Sequence, residues 1–254
     1  MIRAAQSRRR LFTGRRALIC KGQTATKNYA VSFALACAAL FALAASANAQ
    51  DAQKKELPKF KQDAVSLWLS PSNQIHNIGF GEYRSEKERM NEVADVVEPI
   101  LKKQGVKVYR NDPEESIRDY TRRANELNVD LYLAIHSNAF NGEAHGTVAF
   151  CHKFKDAYGN DTEGYRFAKR VNEALMEIYP RNNRGVVESY KFYDGKPMWE
   201  TGSSNMPACL VEVAFHDEEV DSKWILANIK PIGEQLAKAV LEHLAAEHPD
   251  ALEK

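Results

Sequence analysis

Cysteine is scarce in this chain, four in 254 residues, and no two have the close spacing of a cysteine-rich zinc module. Long apolar runs are missing as well. The stretch from Tyr29 to Ala45 stops short of the ~20 residues a membrane-spanning helix needs. Without repeats or low-complexity tracts, nothing points to a solenoid or an appended second module. A basic excess is lacking where it would matter. Eight of the 35 basic residues and none of the 34 acidic ones lie in residues 1–49. The remainder carries 27 basic against 34 acidic residues, a net charge of −7. That balance excludes nucleic acid as the expected partner, because phosphate binding demands clustered Lys and Arg.

What is present begins with an address. Residues 1–28 are basic and free of acid, the apolar run follows, and Ala47-Asn48-Ala49 supplies a small-x-small cleavage pattern. The order predicts a signal peptide over residues 1–49 and an exported protein, periplasmic or secreted, with no membrane span after cleavage. Residues 50–63 are polar and lysine-rich and read as a tether. The rest, 64–248, has the size of a single domain. It keeps Cys151 and Cys209; an oxidising compartment permits them to pair, and geometry decides whether they do.

Within 64–248, apolar strands alternate with amphipathic helices. Strands are expected at Ala64–Leu69, Val106–Tyr109, Leu131–Ile135, Gly146–Phe150 and Pro207–Phe215. A helix from Ser85 to about Gln104 carries Met90, Val93, Val97 and Leu101 on one stripe, with Pro99 expected to kink it. Asp112-Pro113 is read as the start of a second helix, with Ile117, Tyr120, Ala124 and Leu127 inward. Phe167, Val171, Leu175 and Ile178 mark a third, and Ile232 to Glu247 a closing one. Residues 180–206 read as loop. The alternation predicts an α/β fold, a single domain with a mostly parallel sheet flanked by helices.

Several polar residues interrupt this apolar pattern. Glu86 lies one helical turn before Met90 and so extends the inward stripe; a buried carboxylate there needs a partner. Helix-dipole stabilisation in the first turn is the structural alternative. Glu88 has its own explanation as the fourth member of the Ser85-x-x-Glu88 capping box. His136 follows the strand Leu131–Ile135, at the carboxyl end where open α/β sheets place their sites. Glu212 sits inside Ala208–Phe215, where an ionisable group is expected to have a perturbed pKa. His76 lies in the loop leaving the first strand, at the same sheet end. Two histidines and a carboxylate are a common protein set for catalytic zinc, and a second carboxylate supplies a base for water.

Ser70-Pro71-Ser72-Asn73-Gln74, His76-Asn77, Glu86 to Asn91, Asp130 to Ala139 and Val211 to Phe215 fall in the order of the zinc-dependent N-acetylmuramoyl-L-alanine amidases. The resemblance is to the amidase type 3 catalytic domain and covers about residues 64–247. It implies a six-stranded α/β sheet and one zinc ion per chain, held by His76, Glu86 and His136. It implies Glu212 as the general base that activates water and later protonates the leaving amine. Peptidoglycan is the implied partner, with any regulatory protein unidentified, and the bond cleaved joins N-acetylmuramic acid to L-alanine. Arg184-Gly185-Val186 resembles a segment lining the peptide groove, and Arg184 and Asn138 are the implied substrate-binding residues. Many members carry the first histidine in an Asp-x-Gly-His-Gly-Gly turn. Here it lies in Gln74-Ile75-His76-Asn77, similar to a branch with a Ser-Pro-Ser-x-Gln opening. A non-catalytic wall-binding or activator protein that kept the fold is the competing expectation.

Overall fold

The computed structural model describes residues 56–191 and 195–254; the sequence read as a signal peptide lies outside them. Six strands form one sheet: β1 (Ser66–Pro71), β2 (Lys107–Arg110), β3 (Leu131–Asn138), β4 (Thr147–Cys151), β5 (Asn183–Glu188) and β6 (Ala208–Phe215). Their order is β2-β1-β3-β6-β4-β5. All neighbouring pairs are parallel except β4 against β6. Among the described residues the helices are α1 (Glu86–Lys103), α2 (Ile117–Leu127), α3 (Glu163–Met176), α4 (Trp199–Gly202), α5 (Glu219–Ala227) and α6 (Ile229–Glu247). None is long and apolar enough to cross a membrane.

The period-2 alternation of strands splits the core. Leu131, Leu133 and Ile135 face one side with Met90, Val93, Val97, Phe167, Val171, Leu236 and Val240. Tyr132 and Ala134 face the other with Trp68, Tyr120, Ala124, Val148, Phe150 and Leu210. Each Val, Leu, Ile, Met or Phe among them contributes about 1.5–3 kcal/mol on burial. The first side is roofed by the long helices α1, α3 and α6. The second is covered largely by α2 and the short α4, which leaves its far end open for a site.

Local chemistry sets the helix ends. The capping box at Ser85 and Glu88 is formed in full. At the other end Gly105 takes φ +88°, and a Cβ there would lie 2.2 Å from the Phe60 carbonyl oxygen, so only glycine fits. Pro99 is accommodated inside α1, which runs unbroken from Glu86 to Lys103. The second helix starts later than Asp112-Pro113 suggests. Those residues make a turn, and the N-cap is Ser116, whose hydroxyl accepts from the Asp119 N–H. Leu127, at the helix end, is exposed.

Two further expectations are modified, and one open question is answered. Residues 180–206 include β5 and α4; β5 is a half-exposed edge strand, so its sequence lacks an apolar run. Of the stretch read as a tether, the described part, residues 56–63, is bound to the domain. Phe60 is buried, donates its N–H to the Gln104 carbonyl and bridges to Leu252. Cys151 and Cys209 are free thiols, both buried.

Asp221, fully buried, ties the open end of the sheet together. Its carboxylate accepts from the backbone N–H of Gly146 and Phe215, from the Tyr179 hydroxyl and from Arg181. Asp221→Ala strips the buried donors of their acceptor, and the expected loss is about 3–5 kcal/mol. Urea unfolding midpoints read this directly, and a loss too small to resolve would refute the assignment.

Candidate active site

The carboxyl ends of β1 and β3 and the N-terminus of α1 meet at one point. His136, near the end of β3, is the centre. Its Nδ1 is 2.8 Å from Glu86 Oε1, and its Nε2 is 2.8 Å from Glu200 Oε2. All three side chains are buried. Glu86 reaches this position because the inward stripe of α1 begins with it. Glu200, on α4, is held by the Ser70 hydroxyl at 2.6 Å and the Tyr132 hydroxyl at 3.0 Å.

Glu212 stands on β6 directly across from His136 in the parallel register and across from Val148 in the antiparallel one. Its Oε2 is shut off from solvent and has no hydrogen-bond partner. Burial pushes the carboxyl up to about 8; His136 pulls it down, and the charges of Glu86 and Glu200 add to the rise. The same field acts on the others. Burial opposes the charge on Glu86, yet hydrogen bonds from His136, Asn77 and Ser72 and the charge of His136 hold it below the ordinary carboxylate range. Burial likewise opposes a charged His136, but Glu200 and Glu86 outweigh it and hold the imidazolium well above its usual range.

Beside Glu212 opens a cleft of ≈ 570 Å³, lined by Asn138, Phe140, Val148, Phe150, Arg184 and Phe215 among others. The Arg184 guanidinium lies 4.8 Å from the Phe215 ring centroid, and its Nε donates to the His145 carbonyl. Asn138 and Arg184, expected at a substrate groove, thus share one cleft. Behind the site, Tyr83, Ser137 and His216 form a buried chain, with 2.6 Å from the Tyr83 hydroxyl to Ser137 Oγ and 2.9 Å from Ser137 Oγ to His216 Nδ1.

The structure therefore brings Glu86, His136 and Glu212 together and leaves His76 out. His76 is exposed on the loop between β1 and α1, and none of the cluster's hydrogen bonds reaches it. Among the described residues, no three His, Cys, Asp or Glu side chains gather in a metal-holding arrangement. In place of His76, the Gln74 amide lies beside Glu86 and His136. Glu200 is the residue that sequence reasoning misses. It sits in a polar stretch without periodicity, and only Trp199 and Met198 next to it hint at a helix.

Glu86 and His136 fit a divalent cation in their chemistry. They offer an imidazole nitrogen and a carboxylate oxygen on the same side. Each has its second polar atom restrained, Nε2 of His136 by Glu200 and Oε2 of Glu86 by Asn77. Metal-binding histidines are commonly backed by a carboxylate in this way.

Comparison with known proteins gives the following. Residues 75–245 match the family model described as N-acetylmuramoyl-L-alanine amidase. An uncharacterized cell wall amidase of Bacillus anthracis is 30% identical over 98 residues, 37% of this chain and 17% of that protein. An uncharacterized protein of Clostridium perfringens is 28% identical over 159 residues, 50% of this chain and 45% of that one. The chain thus spans less than half the length of these curated relatives. The fold is similar to the solved N-acetylmuramoyl-L-alanine amidase AmiC2 of Nostoc punctiforme, with a TM-score of 0.61 and 18% identity. That match covers 72% of this chain and 98% of the other.

Proposed function

The chain belongs to the N-acetylmuramoyl-L-alanine amidase family, and from that premise we propose that it hydrolyses the amide joining N-acetylmuramic acid to L-alanine in peptidoglycan stem peptides. One observation carries the reading. A buried imidazole gripped by two carboxylates stands across the sheet register from a third carboxylate, Glu212, whose buried Oε2 is unpartnered and whose neighbour on β4, Val148, lines an open cleft.

In this reading Glu86 and His136 hold one zinc ion, with a third donor from the loop between β1 and α1. Zinc, when bound, supplies Lewis acidity for the scissile carbonyl and makes a water easier to deprotonate. Glu212 takes the proton from the attacking water and returns it to the leaving amine, a transfer that works within hydrogen-bond reach. Positive charge beside Glu212 lowers its pKa toward the base form, while burial keeps its proton affinity high enough for the second transfer. The cleft receives the stem peptide, with Arg184 placed to pair with a peptide carboxylate and Asn138 to bond its backbone. Phe140, Val148 and Phe150 supply apolar contact. The N-terminal pattern supports export to the periplasm or beyond.

One observation favours a second reading, a wall-binding or activator protein without turnover: His76 stands outside the cluster. Incubating the purified protein with sacculi separates the two. Expected are intact stem peptides with a free L-alanine amino group, identified by mass, lost on chelation and restored by zinc. Unchanged glycan–peptide linkages at saturating protein would leave the second reading standing.

A further inference from the structure

We infer that Cys151 and Cys209 are a redox pair that closes into a cross-strand disulfide, stapling β4 to β6 where the sheet reverses direction. The inference goes beyond the amidase reading and does not depend on it.

The register places the two cysteines opposite one another. Val148, Ala149 and Phe150 on β4 face Glu212, Val211 and Leu210 on β6 in antiparallel order, so the next pair along is Cys151 and Cys209. The phase of the hydrogen bonds fixes what kind of pair this is. Tyr132 on β3 donates its N–H to the Pro207 carbonyl, so Pro207, Cys209 and Val211 turn their peptide groups toward β3. Leu210 and Glu212 therefore turn theirs toward β4, and the Thr147 hydroxyl donates to the Glu212 carbonyl from that side. Ala149–Val211 and Cys151–Cys209 are thus non-hydrogen-bonded pairs, whose Cα atoms stand about 4.5 Å apart. A disulfide spans Cα separations of about 4.4–6.8 Å. Both cysteines belong to the core on the same side of the sheet. Gly164 of α3 packs over this spot, where a Cβ on it would lie 3.4 Å from the Ala208 carbonyl oxygen and 3.9 Å from the Cys151 Cβ.

The structure holds the pair as thiols. The Cys151 Sγ–H points to the Lys153 carbonyl, 3.7 Å away, and a change of χ1 rotamer turns the sulfur to its partner. Closure takes a disulfide donor such as oxidised glutathione. One cysteine thiolate attacks a donor sulfur and releases the first donor thiolate. The other cysteine thiolate attacks the cysteine sulfur of that mixed disulfide and releases the second. The two cysteine sulfurs are oxidised, the donor disulfide is reduced, and both protons end on donor thiols. Burial decides when this happens. It pushes the Cys151 thiol up to about 12, with Glu188 adding to the rise. It holds Cys209 well above the usual thiol range, with Cys151 adding. Thiolate, the attacking form, is scarce in the folded dithiol, so the bond forms while the chain folds. The staple crosses the seam that sets Glu212 against Val148, because β4 and β5 join the other strands through β6.

The test uses the full chain with Cys20→Ser and Cys37→Ser, so that two cysteines remain. The protein is unfolded and reduced in urea, then refolded either with oxidised glutathione or with reductant. Alkylation in denaturant followed by mass measurement counts the thiols. None is expected after oxidative refolding, with two fewer hydrogens than the dithiol, and both are expected after reductive refolding. The oxidised form should unfold at a urea midpoint higher by about 1–2 M, the usual effect of a native disulfide. Circular dichroism verifies that both preparations are folded. Two free thiols or glutathione adducts after oxidative refolding overturn the inference. So does an oxidised midpoint no higher than the reduced one, or a chain that folds only with reductant present. None of these outcomes bears on the amidase reading.

Discussion

Replacing Glu212 by glutamine lowers release of stem peptides from sacculi by about 10²–10⁴-fold, the usual worth of a positioned acid–base group. The same substitution stabilises the zinc-free protein at neutral pH. The Glu212 carboxyl is pushed up to about 8, by burial first and then by Glu86 and Glu200 against the pull of His136. In the unfolded chain an ordinary glutamate titrates near 4.3. The folded protein therefore binds this proton more tightly than the unfolded one. Stability contributed by the protonated form is complete below about pH 4.3 and drains away as pH rises toward 8. Glutamine mimics the protonated carboxyl and has no such dependence. Variant and parent should melt alike near pH 4.5, with the variant ahead by on the order of 2–4 kcal/mol near pH 8. Thermal melts in chelator at several pH values check this. A gap that fails to widen with pH refutes the electrostatic account, and retained turnover refutes the role in catalysis. Activity and stability oppose one another here, as expected where catalysis needs an ionised carboxylate in surroundings that favour its protonated form.

His136→Ala is expected to do the most damage to the fold. In the zinc-free protein the imidazolium neutralises two buried carboxylates, each 2.8 Å away. Its pKa lies well above the usual histidine value because Glu200 and Glu86 outweigh the effect of burial. Its stabilising contribution is therefore whole below about pH 6.5 and fades only as the solution becomes alkaline enough to reach the raised value. Removing the ring leaves Glu86 and Glu200 buried without their partner, which costs about 3–5 kcal/mol. Adding Glu200→Gln to His136→Ala removes one of the stranded charges and should recover part of that loss. A neutral amide still bonds Ser70 and Tyr132. Urea midpoints of the parent, the single and the double variant measure the effect. A single variant within about 1 kcal/mol of the parent, or a double variant worse than the single, contradicts the picture. Zinc uptake should vanish in both variants, since the ligating nitrogen is gone.

Much of this architecture is legible in the residues themselves. The apolar runs ending at His136 and surrounding Glu212 mark two central strands, because both faces of a buried strand must be apolar. The stripe that starts at Glu86, with its capping box at Ser85 and Glu88, marks α1 and the carboxylate it turns inward. Other features carry no such mark. The edge strand β5 is half-exposed and so escapes the apolar signal. The helix α2 begins at whichever of two competing caps best satisfies its N–H groups, and Ser116 wins over Asp112-Pro113.

What the chain determines alone is whatever follows from periodicity and burial: the strands, the helix faces, and three of the polar residues forced to share an apolar sheet end. Tertiary structure decided the rest. Strand order and the reversal of β4 depend on how crossovers pack, and nothing local encodes them. Glu200 acquires its place from Ser70, Tyr132 and His136, contributed by two strands distant in the chain. Gln74 and His76 are two residues apart in a loop with no repeating pattern. Which of them faces Glu86 and His136 is settled by backbone hydrogen bonds to β3 and α1, and those exist only once the sheet and the helix have come together.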